Sequence, residues 1–299
     1  MVCNSTYIGA SETLRILLYT NRNKQSGFGH FYRATALADE AWQRGHTVAF
    51  AGDAKPLSSS KYYSVHDAQT FHKAVADFNP DWLIVDLPGQ LPSYIAEIRA
   101  KLCVINGIGH NSGIRPELAI SQGFEGEYCA PKYLILRRAL ARYNKVSRGD
   151  RWFVFGGAAD ELGLLPAFDR AMEDQPAYLL ATELTEGLTG WVAKHRIVTG
   201  QDDSVLGWIA IARSGCVHLG VTTWELLYFN IPCYVFSRSE YHLKDALEMD
   251  KRGWVKAWPG IGLPSDEELR EFLLTPFAPP KNVVGLDGAM RVIKLIEQS

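Results

Sequence analysis

Apolar runs of strand length alternate with helix-period stretches along most of this chain, and no other feature restricts its fold as strongly. Residues 14–19, 47–50, 82–85 and 102–105 read as buried strands. Between the first two, Ala34, Leu37, Ala38, Ala41 and Trp42 recur at helical spacing before Arg44-Gly45-His46 supplies a stop. Strand, helix, strand in this order implies a parallel sheet with right-handed crossovers. The pattern weakens over residues 137–149 and restarts with Trp152-Phe-Val-Phe155, followed by Gly156-Gly157. Further strands are expected at 177–181, 196–199, 216–219 and 233–236, with helices over 164–172, 205–212, 222–229 and 243–251. Met290, Ile293, Leu295 and Ile296 predict a closing helix over 288–298.

At 299 residues the chain has room for two domains, each with its own core. The expected class is therefore α/β: two doubly wound, Rossmann-like halves, residues 13–146 and 147–285, joined near 143–150, with 286–299 as the closing helix. Open parallel sheets bind ligands beyond the carboxyl ends of their strands, so two facing sheets place a site in the cleft between domains.

Composition excludes several classes. Apolar residues make up 47% and charged ones 21%, ordinary proportions that argue against a disordered chain. No apolar run has the length of a membrane span. Residues 1–12 lack the basic start and long apolar stretch of a signal peptide, so a cytoplasmic protein with a loose N-terminus is expected. Five cysteines with no CxxC spacing point away from a disulfide framework or structural zinc. A net charge of −2 argues against a broadly basic nucleic-acid binder. One local exception runs from Lys132 to Arg151, with seven basic residues and a single acid, Asp150. It reads as a solvated linker or as a phosphate patch centred on Arg137, Arg138 and Arg142.

Four segments follow strands and fall on the predicted cleft: Gly27-Phe-Gly-His30, Asp86 to Gly89, Gly156-Gly157 and Gly220-Val-Thr-Thr-Trp-Glu225. Glycine-rich turns that open helices offer free N–H groups and a positive dipole end to diphosphate oxygens. The first turn is neither a P-loop nor a full GxGxxG, since no GKS or GKT follows and Arg33 and Ala34 stand where the third glycine is sought. His30 at a helix start has its charged form disfavoured by the dipole, which leaves either a neutral general base or a packing histidine. Arg33, one turn on, can bind a carboxylate or phosphate or be solvated. Thr222 or Thr223 can cap the next helix and donate to a phosphate. Glu225 can accept from a ribose diol, or serve only as a favourable first-turn acid.

The run Gly27-Phe-Gly-His-Phe-Tyr-Arg-Ala-Thr-Ala-Leu-Ala38, with Arg44-Gly45-His46-Thr47-Val48, resembles the opening signature of the UDP-sugar hydrolase of pseudaminic acid biosynthesis and its relatives. That family belongs to the GT-B superfamily and is related to the N-acetylglucosaminyltransferase of peptidoglycan synthesis. Pro131-Lys-Tyr-Leu-Ile-Leu-Arg137 resembles the family's segment before the domain crossover, and Phe153-Val-Phe-Gly-Gly157 its start of the second domain. Gly220 to Glu225, then Asn230-Ile-Pro-Cys-Tyr-Val235, resembles its sugar-nucleotide loop and next strand.

The resemblance implies a GT-B fold with an N-terminal acceptor domain and a C-terminal nucleotide-sugar domain. It makes His30 the base, and it places Gly27, Gly29, Gly157, Thr222, Thr223 and Glu225 at the donor, with the backbone of 198–200 holding the nucleobase. A UDP-sugar is then substrate rather than cofactor, and neither a cofactor nor a metal is implied, because dipoles and N–H groups can stabilise the leaving diphosphate. The acceptor side departs from the family in three places: Asp86-Leu-Pro-Gly-Gln90, Asn106-Gly-Ile-Gly-His110 and Ser239-Glu-Tyr-His242. Arg33, Asp86, His110, Tyr241 and His242 become candidate acceptor or sugar contacts, although His110 and His242 also read as loop histidines.

These departures favour an inverting glycosyltransferase with a hydroxyl acceptor, either a small glycan precursor or a hydroxylated base in nucleic acid. The alternatives are a hydrolase using water and a binding protein that kept the fold without the chemistry.

Overall fold

A computed structural model describes residues 12–24, 27–56, 61–105, 114–185, 191–200 and 203–299. The predicted N-terminal tail and the Asn106 to His110 segment lie outside the described residues, apart from Glu12. Two six-stranded parallel sheets form the molecule. The first contains β1 (Arg15–Thr20), β2 (Thr47–Gly52), β3 (Lys61–Ser64), β4 (Trp82–Asp86), β5 (Lys101–Ile105) and β6 (Leu118–Ile120), in the order β3-β2-β1-β4-β5-β6. The second contains β7 (Trp152–Phe155), β8 (Ala177–Ala181), β9 (Arg196–Thr199), β10 (Ser214–His218), β11 (Cys233–Ser237) and β12 (Lys256–Ile261), in the order β12-β11-β10-β7-β8-β9.

Each sheet reverses its direction of winding once. The switch lies between β1 and β4 in the first sheet and between β7 and β10 in the second. Loops that leave adjacent strands at such a point diverge and open a crevice. Strand β1 leads to α1 (Gly29–Gln43), and β10 leads to α5 (Val221–Tyr228). The other helices are α2 (Ala68–Phe78), α3 (Leu164–Ala171), α4 (Ser204–Ala210), α6 (Glu240–Lys251), α7 (Asp266–Leu274) and α8 (Gly288–Gln298).

Both faces of each sheet are covered, so the central strands are uninterrupted apolar runs, as at Ile16, Leu17 and Leu18, all nearly inaccessible to solvent. The seam between the halves is built by residues 130–140, whose side chains split between two cores. Tyr133 and Ile135 pack with β1 and α1, whereas Leu134, Leu136 and Leu140 pack with the second half. Helix α8 returns from the C-terminal half to the first one, burying Ala289, Val292, Ile293 and Ile296 beside α1. At Gly288 a Cβ would lie 1.8 Å from the Leu134 carbonyl oxygen, so only glycine permits this close crossing.

Candidate active site

The cleft between the halves is lined from both switch points. Gly27, Gly29 and His30 come from the first half, and Gly156, Gly157 and residues 218–222 from the second. Gly27 (φ +63°) and Gly157 (φ +89°) hold left-handed conformations that turn the chain sharply out of its strand. A Cβ on Gly29 would come within 3.1 Å of Val221 Cγ2, so the N-termini of α1 and α5 approach each other across the cleft. Their unpaired N–H groups and dipoles therefore converge on one volume, which favours an anion there.

His30 Nδ1 lies 2.5 Å from Asp86 Oδ1, at the carboxyl end of β4. An ionised carboxylate can only accept, so Nδ1 carries the proton that faces Asp86, and in the neutral ring the lone pair is on Nε2. Arg33 grips the same carboxylate with both arms, Nε to Oδ2 at 2.8 Å and NH2 to Oδ1 at 2.8 Å. Burial pushes the Asp86 carboxyl up, but the charge of Arg33 and the hydrogen bonds from Arg33 and His30 outweigh it and hold Asp86 below the usual carboxylate range. Asp86 is only 1% exposed and turned onto His30 and Arg33, whereas Arg33 lines the cleft while its Nε and NH2 bind Asp86.

The donor-side residues also separate. Thr222 lines the cleft. Thr223 is fully buried and its hydroxyl accepts from the Gly220 N–H at 3.3 Å, capping its own helix, so it is not presented to a ligand. The second glycine turn is also partly committed: Asp160 accepts from the Leu164 and Leu165 N–H groups at 2.9 and 3.1 Å and so occupies the start of α3. Of the three expected anion-binding helix starts, α1 and α5 remain open. Glu225 lines the cleft while its Oε1 accepts from Arg137 Nε at 3.0 Å and NH2 at 2.7 Å. Gly200 lies in the same wall, and Val198 belongs to the core behind it.

The arginines of the expected phosphate patch all meet carboxylates. Arg137 is committed to Glu225, Arg138 to Glu40 at 3.2 Å, and Arg142 approaches Asp203 at 3.7 Å. Arg148 in the same run donates to the carbonyls of Phe229 and Asn230 at 2.8 and 2.7 Å. Arg137 and Arg148 close local structure, whereas Arg138 and Arg142 stay on the surface with side chains 45% and 74% exposed.

Tyr241 and His242, at the start of α6, both reach the cleft, and Tyr241 is half-exposed. His242 Nδ1 lies 2.7 Å from Ser239 Oγ. Three residues absent from the sequence expectation join them: His218, Arg238 and Asp245. The His218 ring lies 5.3 Å from that of His242, tilted by 50°, and its buried Nε2 has no hydrogen-bond partner among the described residues. Burial, His242 and Arg238 push His218 down to about 3; burial and Arg238 push His242 down to about 4, so both are neutral at pH 7. Burial and Glu125 push Asp245 up to about 6. His218 ends β10 at a switch point, and that position was the available signal for it.

Among the described residues no group of three His, Cys, Asp or Glu side chains could hold a metal ion, and no helix is long and apolar enough to cross a membrane. No family model and no curated protein sequence matches the chain. Solved structures do match over nearly its full length. The spinosyn rhamnosyltransferase SpnG complexed with thymidine diphosphate is 13% identical, with 94% of this chain and 95% of that one covered at a TM-score of 0.63. UDP-GlcNAc 2-epimerase from Methanocaldococcus jannaschii, in complex with UDP-GlcNAc and UDP, is 9% identical, covering 96% and 100% at 0.62. MurG from Acinetobacter baumannii is 12% identical, covering 96% and 100% at 0.59. At such identities the likeness is one of fold.

Proposed function

Because this chain has the two-domain GT-B architecture, we propose that it transfers a sugar from a nucleoside-diphosphate donor, UDP by resemblance, to a hydroxyl acceptor with inversion. The observation that carries this reading is the His30–Asp86 pair, held at the N-terminus of α1 opposite the N-terminus of α5 in one cleft.

In the proposed reaction His30 Nε2 removes the acceptor's proton, and the oxygen attacks the anomeric carbon from the face opposite the diphosphate. The carbon–oxygen bond to the diphosphate breaks, and its electron pair stays on the leaving group. Asp86 holds the imidazole by Nδ1 and offsets the charge that Nε2 acquires. In this reading N–H groups at the start of α5 stabilise the diphosphate, and Arg238, which lines the same cleft and pairs with Glu161 at 2.8 Å, adds positive charge. Arg137, which the Glu225 pair buries, is not available to a nucleic-acid acceptor, which weakens that reading.

A panel of UDP-sugars, with and without hydroxyl acceptors, tests the reading by following UDP release and the fate of the sugar. Sugar attached to an acceptor is the expected result. Free sugar released without acceptor would make the enzyme a hydrolase, and no release by any donor would leave a binding protein. His30→Ala should lower turnover by about 100-fold or more while leaving donor binding intact.

A further inference from the structure

One wall of the cleft carries a row of rings from the second half. His218 ends β10 at the switch point, the His242 ring lies 5.3 Å from it, and the Tyr241 ring lies 5.7 Å from His242, nearly perpendicular at 85°. All three residues line the cleft that holds His30. Tyr241 is 52% exposed, whereas every other described Phe, Tyr and Trp is buried or half-buried. Packing covers the other rings of this fold, and the one left open lines the candidate active site.

The row is held in place. Ser239 caps α6 by accepting from the His242 N–H, and its hydroxyl lies 2.7 Å from His242 Nδ1. Both histidines carry no charge at pH 7. Burial pushes the Tyr241 phenol up, Asp245 and Glu125 add to this, and Arg33 opposes it. Arg33 stands one turn from His30 on α1, so the open ring reaches the side of the cleft that carries the base. An exposed ring binds another ring by dispersion and by release of water, with the arrangement set by its quadrupole. An open-chain alcohol has no ring face to offer it.

We propose that Tyr241 is a specificity-determining residue, a platform on which the acceptor lies, so that the acceptor is a hydroxyl compound bearing a ring, a phenol or a pyranoside, rather than an open-chain alcohol. This rests on the transferase reading above. It sets the platform on the second half, while the base comes from the first.

The intact protein, supplied with the UDP-sugar it turns over, is assayed with ring acceptors (phenol and methyl glucopyranoside) and with open-chain ones (glycerol and butanol). Ring acceptors should be used at the lower KM. Tyr241→Ala should raise the ring-acceptor KM by about 10-fold, the worth of an aromatic pair, and leave the UDP-sugar KM unchanged. Tyr241→Phe should restore most of that affinity, because the ring and not its hydroxyl makes the contact. Circular dichroism confirms that each variant is folded, which the exposure of the side chain favours.

A raised UDP-sugar KM in Tyr241→Ala would make the ring a donor contact and overturn the proposal. An unchanged acceptor KM would do so too, as would a phenylalanine variant as weak as the alanine one, or transfer to open-chain alcohols alone. Each of these leaves the transferase reading standing. No transfer to either set removes that reading itself, and the platform with it.

Discussion

Two arginine–carboxylate pairs lie in this cleft, and their geometry separates their roles. Arg33 closes both oxygens of Asp86 and keeps it ionised behind His30; Arg137 closes only one oxygen of Glu225. Helix-start residues are legible in sequence, but their partners are not. His30 and Asp86 are 56 positions apart and Arg137 and Glu225 are 88 apart, distances at which spacing carries no information. Asp245 shows the same dependence on surroundings. Its folded carboxyl is pushed up to about 6, above the ordinary carboxylate range, by burial and Glu125. A raised carboxylate destabilises the fold above its folded pKa, and that cost disappears as pH falls through 6 towards 4. Asp245→Asn should therefore stabilise the protein at pH 8 by about 1 kcal/mol, allowing for solvent screening, and the gain should fade by pH 4. Thermal melts at both pH values check this, and an equal gain at each would contradict the assignment.

At the scale of elements, α5 is fixed from both ends. Thr223 caps its start against Gly220, and Arg148 binds the carbonyls of Phe229 and Asn230 just past its end. A basic run that looks like an anion surface in sequence is thus partly a set of helix clamps. Arg148→Ala should cost about 1 kcal/mol in urea unfolding, as for loss of a hydrogen bond to a helix end, whereas Arg142→Ala, 74% exposed at its side chain, should cost almost nothing. Equal costs would mean the run acts through its charge alone. The central strands were legible because burial on both faces makes them continuous apolar runs. The edges were not. Strand β3 is Lys61-Tyr-Tyr-Ser64, with both ends exposed, and β12 contains Pro259 and Gly260, which read as a turn but are tolerated at a sheet edge. Helices α2 and α7 carried capping boxes, Asp67 with Thr70 and Ser265 with Glu268, that the apolar periodicity alone did not reveal.

Across the whole molecule, the C-terminal helix completes the N-terminal half. Ile293 on α8 is fully buried in the core that holds β1 and α1, and Glu297 receives Arg44 Nε at 2.8 Å and contacts His46 Nε2 at 2.9 Å. Ile293→Ala should lower unfolding stability by about 2–5 kcal/mol, the range for emptying a buried aliphatic site. A loss below about 0.5 kcal/mol in urea unfolding would show that the helix is not part of that core. By itself the sequence determined two wound α/β halves, the glycine turns that open their helices, and His30 on the cleft, because strand period, helix period and turn chemistry are local properties. Only the tertiary structure decided which helix starts stay open, that Asp86 serves His30, that Arg137 holds Glu225, and that His218 faces the cleft. Those outcomes depend on which charges meet after distant segments pack, and burial makes each such meeting decisive.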